Sequence, residues 1–301
     1  MGNIRIILYF FFLPRILFLA NDETIVLEAE NTKRVSSVII LTGNVIAKTG
    51  EFVLGANKLL VSDDECTYIA EDNVNINISN RDVIITCGKC IYKVKERRIY
   101  FFDVKIVFNN TTVLTTQYCD YHIDKRCLKY STYGVIKNNG NIISSKKGRI
   151  SVDSEEIFLN ENVVCENVHL CLRCKCFIFG NKDKKAVFED GIIIEFKGKE
   201  DLTALVKKKV VYDLEKETFT TDNLLLQNKT MHGYFTRATF HYKQSKINLY
   251  NGIIRNNNNY LTCNDILYDL EKEEIVFKDN PYGFLQNGII FTSRDLHIKN
   301  F

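Results

Sequence analysis

The chain has 301 residues, 46% of them hydrophobic, a net charge of +3 with acids and bases interspersed, and 10 cysteines, 2 prolines and no tryptophan. Such a length accommodates one or two domains with a sizeable core, and the dispersed charge excludes a general electrostatic case for nucleic acid as a partner. Scarce proline together with abundant Ile, Val, Tyr, Phe and Thr points to an all-β protein. Runs rich in Asn, Lys and Ile recur, and Asn-X-Ser/Thr triplets such as Asn110-Thr111-Thr112 reflect that bias rather than sites.

The N-terminus reads MGNIRIILYFFFLPRILFLANDET. Its apolar run, Ile6 to Ala20, is interrupted by Pro14 and Arg15 and is short for a membrane span. Residues 1–20 are expected to be a secretory signal, with an uncleaved membrane anchor or a buried first strand as alternatives; residues 21–35 are expected to be a linker, and 36–301 the folded domain.

From there a short punctuation recurs: a polar residue, then Asn or Gly, then a branched apolar residue. It stands at Gly43-Asn44-Val45, Asp72-Asn73-Val74, Phe102-Asp103-Val104, Tyr133-Gly134-Val135, Glu161-Asn162-Val163, Asp190-Gly191-Ile192, Asp222-Asn223-Leu224 and Asn251-Gly252-Ile253, with spacings of 29, 30, 31, 28, 29, 32 and 29. A period near thirty is an internal repeat, and Asn and Gly tolerate the positive φ of a tight turn. Each unit is therefore expected to open with a chain reversal.

The segment YDLEKE supplies a second marker, occurring at Tyr212–Glu217 and again at Tyr268–Glu273, 56 residues apart. Its tyrosine aligns with Leu60, Tyr92, Tyr121, Ile150, Ile178, Phe240 and Leu296, all apolar or aromatic. Two residues on stand Ser62, Val94, Ile123, Val152, Gly180, Leu214, Tyr242, Leu270 and Ile298, and polar residues intervene. This alternation is that of a strand with one buried face. Two strands per unit and about nine units predict an elongated β-stack rather than an ordinary sandwich, which has no reason to align such columns.

The segments GANKLLVSDDE, VVYDLEKETF and ILYDLEKEEI, following turns such as Gly43-Asn44-Val45, resemble the OstA-like family of lipopolysaccharide-transport periplasmic proteins, the LptA group, over about residues 36 to 301. The resemblance implies an open β-jelly-roll of V-shaped stacked strands whose apolar interior holds lipid acyl chains, and which joins other OstA-like components or copies of itself through end strands. It implies a periplasmic carrier, not an enzyme, with lipopolysaccharide or a related amphiphile as its ligand. Acyl burial in such an interior contributes about 0.8 kcal/mol per CH₂, and a stack of rungs presents edge strands to which another chain can add; the last unit, stopping after Leu296, suggests such an edge. The interior wall is expected at Tyr92, Val94, Tyr121, Ile123, Tyr212, Leu214, Phe240, Tyr242, Tyr268 and Leu270. A scaffold with the same side chains sealed as core is the competing reading; a β-helical carbohydrate-active enzyme would need an outward column of stacked carboxylates, which the aligned repeats do not contain.

Other residues invite chemistry less strongly. Cys87-Gly88-Lys89-Cys90 and His169 to Cys176 have metal-like spacing, but a single strand parity would turn Cys90, Cys174 and Cys176 inward and Cys87, His169 and Cys171 outward, so no metal and no cofactor is expected. Cys90 and Cys119 lie one period apart, and on adjacent rungs would reach disulfide distance; buried free thiols are the alternative. Basic clusters at Lys146-Lys147, Lys182 to Lys185 and Lys207 to Lys209 would meet lipid phosphates if they line a groove mouth, and otherwise are soluble surface. The five histidines are scattered, and no nucleotide-binding or nucleophile motif occurs.

Overall fold

Strand after strand alternates β-branched or aromatic residues with polar ones, and each such run folds as a strand of about eleven residues paired antiparallel to its sequence neighbours. The computed structural model describes residues 7–9, 15–20, 23–62, 66–79, 81–199, 201–256, 259–278, 281–284, 290–292 and 295–299. They divide into two compact units: residues 1–139 with 146–155, and residues 140–145 with 156–301. In the first, Val38–Lys48, Phe52–Ser62, Thr67–Ile78, Val83–Lys93, Arg98–Phe108 and Thr112–His122 pair in succession. The second runs through Ile157–Glu166 and Leu170–Gly180 to Thr218–Gln227, Met231–His241, Lys246–Asn256 and Asn259–Asp269 in the same manner. Two strands per thirty-residue unit is as expected.

The expected linker is strand. Glu23–Glu28 pairs with Arg15–Ala20 on one side and with Val38–Lys48 on the other, and Ile25 and Leu27 are buried. The apolar segment itself lies partly outside the described residues.

The Asn and Gly punctuation does have the positive φ that its chemistry suggests, at Gly43, Asn44, Asp72, Asn73, Asp103, Glu161, Asn162, Asp190, Gly191, Asn223 and Asn251. The chain does not reverse there, however. Gly43-Asn44, Asp72-Asn73 and Glu161-Asn162 sit midway along strands as bulges, where two residues face one on the partner, for example between Thr42 and Val45; Asp103, Asn223 and Asn251 sit midway along strands whose pairing stays in register, and Asp190-Gly191 separate Lys185–Glu189 from Ile192–Phe196. A bulge bends a strand and strengthens its twist, so each strand turns a corner from a first wall to a second. The corner also shifts which parity faces in: on Val83–Lys93 the inward residues are Val83, Ile85 and Cys87, then Cys90 and Tyr92. On Met231–His241 they are Met231, Gly233 and Phe235, then Ala238 and Phe240.

Reversals occur at the strand ends, and YDLEKE builds one. Asp213 Oδ1 accepts from the amides of Glu215 and Lys216 at 3.1 and 3.0 Å, and Asp269 Oδ1 from those of Glu271 and Lys272 at 3.2 and 3.1 Å. These amides hold the Asp213 carboxyl below the usual carboxylate range. The final glutamates, Glu217 and Glu273, adopt the left-handed conformation. The turns also stack: the Val94, Ile123, Val152, Leu214 and Leu270 amides donate to carbonyls of Cys66, Arg97, Arg126, Lys184 and Ser245 at 2.8 to 3.2 Å. The column two residues past the tyrosine is thus a column of backbone bonds joining successive thirty-residue repeats within each compact unit.

Candidate functional site

In the first unit the expected interior residues are core. Tyr92, Val94, Tyr121 and Ile123 are each no more than 3% exposed. Tyr92 meets Phe52 edge-on at 5.5 Å and stacks on Tyr68 at 6.0 Å, and burial pushes the Tyr121 phenol up to about 12. In the second unit the residues diverge. Phe240, Tyr268 and Leu270 are buried and Tyr212 and Tyr242 partly so, whereas Leu214 is 38% exposed at its turn. Two column members are displaced by the corner shift: Leu59 and Val61 face in rather than Leu60, and Phe177 rather than Ile178, which is 37% exposed.

Half of the interior was absent from the column, because alternate strands run the other way. Ile99 pairs with both Tyr92 and Tyr121, and Phe101 with both Cys90 and Cys119. The two cysteines are therefore two strands apart, about 10 Å at normal strand spacing, with Phe101 between them. Of the two readings of this pair, the structure shows buried free thiols and no disulfide. Cys87, expected outward, is buried and shares a hydrogen bond with Cys90, which together with burial raises the Cys90 thiol well above its usual range. Likewise Cys171, expected outward, is buried while Cys176 is only partly so. Among the described residues no three metal-ligating side chains converge.

The second unit contains a small open-mouthed cleft of about 70 Å³. Its floor is Leu170 and Phe196 from the second wall and Phe240, Tyr242, Ile247 and Leu270 from the first. The Phe196 and Phe240 rings stack between the walls at 5.6 Å. Tyr242 approaches Tyr212, whose hydroxyl donates to it at 3.4 Å, and Tyr212 stacks on Phe219 at 4.4 Å. Burial, then this hydrogen bond, raises the Tyr212 phenol above its usual value, so the ring presents a neutral hydroxyl. His169, Lys197, Lys199 and Lys246 rim the cleft with Glu271. Lys197 pairs with Glu166 at 2.6 Å and Lys199 with Glu273 at 3.1 Å.

An apolar floor under a cationic rim suits a molecule with a hydrocarbon part and an anionic head. Three of the ten expected wall residues, Phe240, Tyr242 and Leu270, line it. The rim lysines were not anticipated. The clusters that were lie elsewhere: Lys146 and Lys207-Lys208 at corners between wall strands, and Lys182 to Lys184 in a turn where Lys184 pairs with Glu215. A signal was available, since Lys197 and Lys199 follow the apolar strand Ile192–Phe196, but only cross-wall packing brings them beside Lys246.

No curated protein matches this chain. Among solved structures it is similar to LptH of Pseudomonas aeruginosa, the LptA-homologous periplasmic component of a lipopolysaccharide transport device, at 13% identity and a TM-score of 0.22, over 46% of this chain and 82% of that one. The model of the OstA-like protein family matches residues 16–174, more than half of the chain and from within the apolar segment onward. With the bulged, two-strand repeats already described, that match makes the chain a member of the OstA-like family.

Proposed function

We propose that this protein is an exported, periplasmic carrier that binds lipopolysaccharide or a closely related anionic amphiphile, acyl chains against the apolar floor of the second unit and headgroup phosphate at the rim, and passes it on by end-to-end contact with other OstA-like chains. The observation that carries this reading is the cleft, where Phe196, Phe240, Ile247 and Leu270 lie beneath Lys197, Lys199 and Lys246. Family membership supports transport as the class of activity. A carrier needs no reacting group, and the side chains named act as walls and counter-charges.

Photo-crosslinking tests it. A diazirine residue at Leu270, in the cleft, should label lipopolysaccharide, while one at Leu214, exposed at its turn, should label much less. Equal labelling from the two positions, or crosslinks from Leu270 only to its own chain, would sink the proposal. The sealed interior around Tyr92 and Tyr121 favours a second reading for the first unit alone, that of a structural scaffold without lipid binding. Probes at Tyr92 should then give no lipid adduct.

A further inference from the structure

In each unit the two walls are joined in two unlike ways. At the corners the backbone itself passes from wall to wall through left-handed Asn, Asp and Gly residues. At the opposite side, the mouth, only side chains meet. Arg81, in a second-wall turn of the first unit, donates to Asp153 in a first-wall turn at 2.9 Å. In the second unit Lys199 donates to Glu273 at 3.1 Å, and the His169 and Tyr242 rings meet at 5.9 Å. The sequence separations are 72, 74 and 73. Two ion pairs and one ring contact therefore repeat one geometry, about two and a half thirty-residue repeats along the chain.

We infer that the mouth of the second unit is a lateral gate, latched by Lys199–Glu273, with the left-handed corners as its hinge; Arg81–Asp153 closes the sealed first unit in the same geometry. The physical reason is the inequality of the ways in. Separating neighbouring strands breaks a continuous ladder, ten paired positions between Met231–His241 and Lys246–Asn256. Parting the mouth leaves every ladder intact and breaks a solvent-accessible ion pair, which contributes little, together with the His169–Tyr242 and Phe196–Phe240 ring contacts between the walls. Lys199 and Glu273 also stand at the cleft: Lys199 lines it, and Glu273 holds that ammonium as an internal anion until a ligand anion replaces it. An amphiphile then enters sideways between the walls, without threading from an end of the strands.

The latch is argued from geometry alone; its role in loading rests on the proposed amphiphile binding, and two measurements on the full chain separate them. Hydrogen exchange of the ligand-free protein reads the latch. Lys199→Glu and Glu273→Lys should each speed exchange of amides lining the mouth, around His169–Leu170 and Tyr242–Ile247, by about fivefold, and the exchanged pair Lys199→Glu with Glu273→Lys should restore the slow rate. No change in the single variants, or no rescue in the pair, overturns the latch. Stopped-flow binding of fluorescently labelled lipopolysaccharide reads the loading: Glu273→Lys, which unlatches the mouth and leaves the rim lysines in place, should raise the association rate about fivefold. Altered exchange with unaltered rates overturns lateral entry, whereas no binding by the unsubstituted chain overturns the carrier reading and leaves the exchange experiment to decide the latch.

Discussion

Two glycines of the punctuation, Gly134 and Gly252, are needed for room and not for φ. A Cβ at Gly252 would lie 2.1 Å from Phe235 Cδ1, and one at Gly134 would lie 2.5 Å from the Tyr130 ring, which Gly148 also abuts. Each aromatic ring lies across the glycines of neighbouring strands, filling the corner. Gly252→Ala should therefore cost about 1–3 kcal/mol through overpacking, read as a lower urea midpoint, while Gly180→Ala, with nothing near its Cβ, should cost well under half of that. The thiols make a second residue-scale prediction. Burial raises Cys119 far above its usual range, and the Cys87 hydrogen bond and burial do the same for Cys90. A raised thiol pKa means less thiolate at a given pH, and the thiolate is the nucleophile. At pH 8 iodoacetamide should therefore modify the half-exposed Cys66 first and leave Cys90 and Cys119 unmodified until the chain is unfolded, as mass spectrometry of digests would show.

The unit of this fold is a bent strand with a capped turn. In YDLEKE the tyrosine packs inward, the aspartate caps two amides, the leucine amide bonds to the preceding unit, and the final glutamate takes the left-handed conformation. Removing the cap by Asp269→Ala leaves the Glu271 and Lys272 amides to water and should lower stability by about 1 kcal/mol, with no loss of strand content by circular dichroism. The corner has its own requirement. Asn223 holds φ at 54°, and a β-branched residue there meets the steric penalty of that region, so Asn223→Val should cost about 1–2 kcal/mol in the same urea titration. Asn223→Gly should be far milder, and that contrast separates backbone strain from loss of the side chain.

At the scale of the whole molecule, polar contacts at the mouth and backbone ladders along the walls divide the labour between opening and holding together, and the cleft under the rim lysines is where the carrier reading meets both. The repeat, its two strands, the all-β class and the family were legible in the sequence, because turn chemistry and period-two alternation are local and recur near every thirty residues. YDLEKE, Asn44, Asn73 and Asn223 carry that information in their own backbone preferences. What each position faces was less legible. One parity carried through a whole strand misplaced Cys87, Leu60 and Ile178, because a mid-strand corner shifts parity without leaving a mark on composition. The Cys90–Cys119 bridge, one of two readings the spacing left open, is absent for a related reason: one sequence period is two strands, so Phe101 stands between. By itself the sequence determined the rungs and their spacing, which depend on residues close in the chain. Only the tertiary structure decided the second unit's cleft, its lysine rim and the pairing of Lys199 with Glu273, since contacts across 74 residues are set by how far bulges and twist carry one wall around to meet the other.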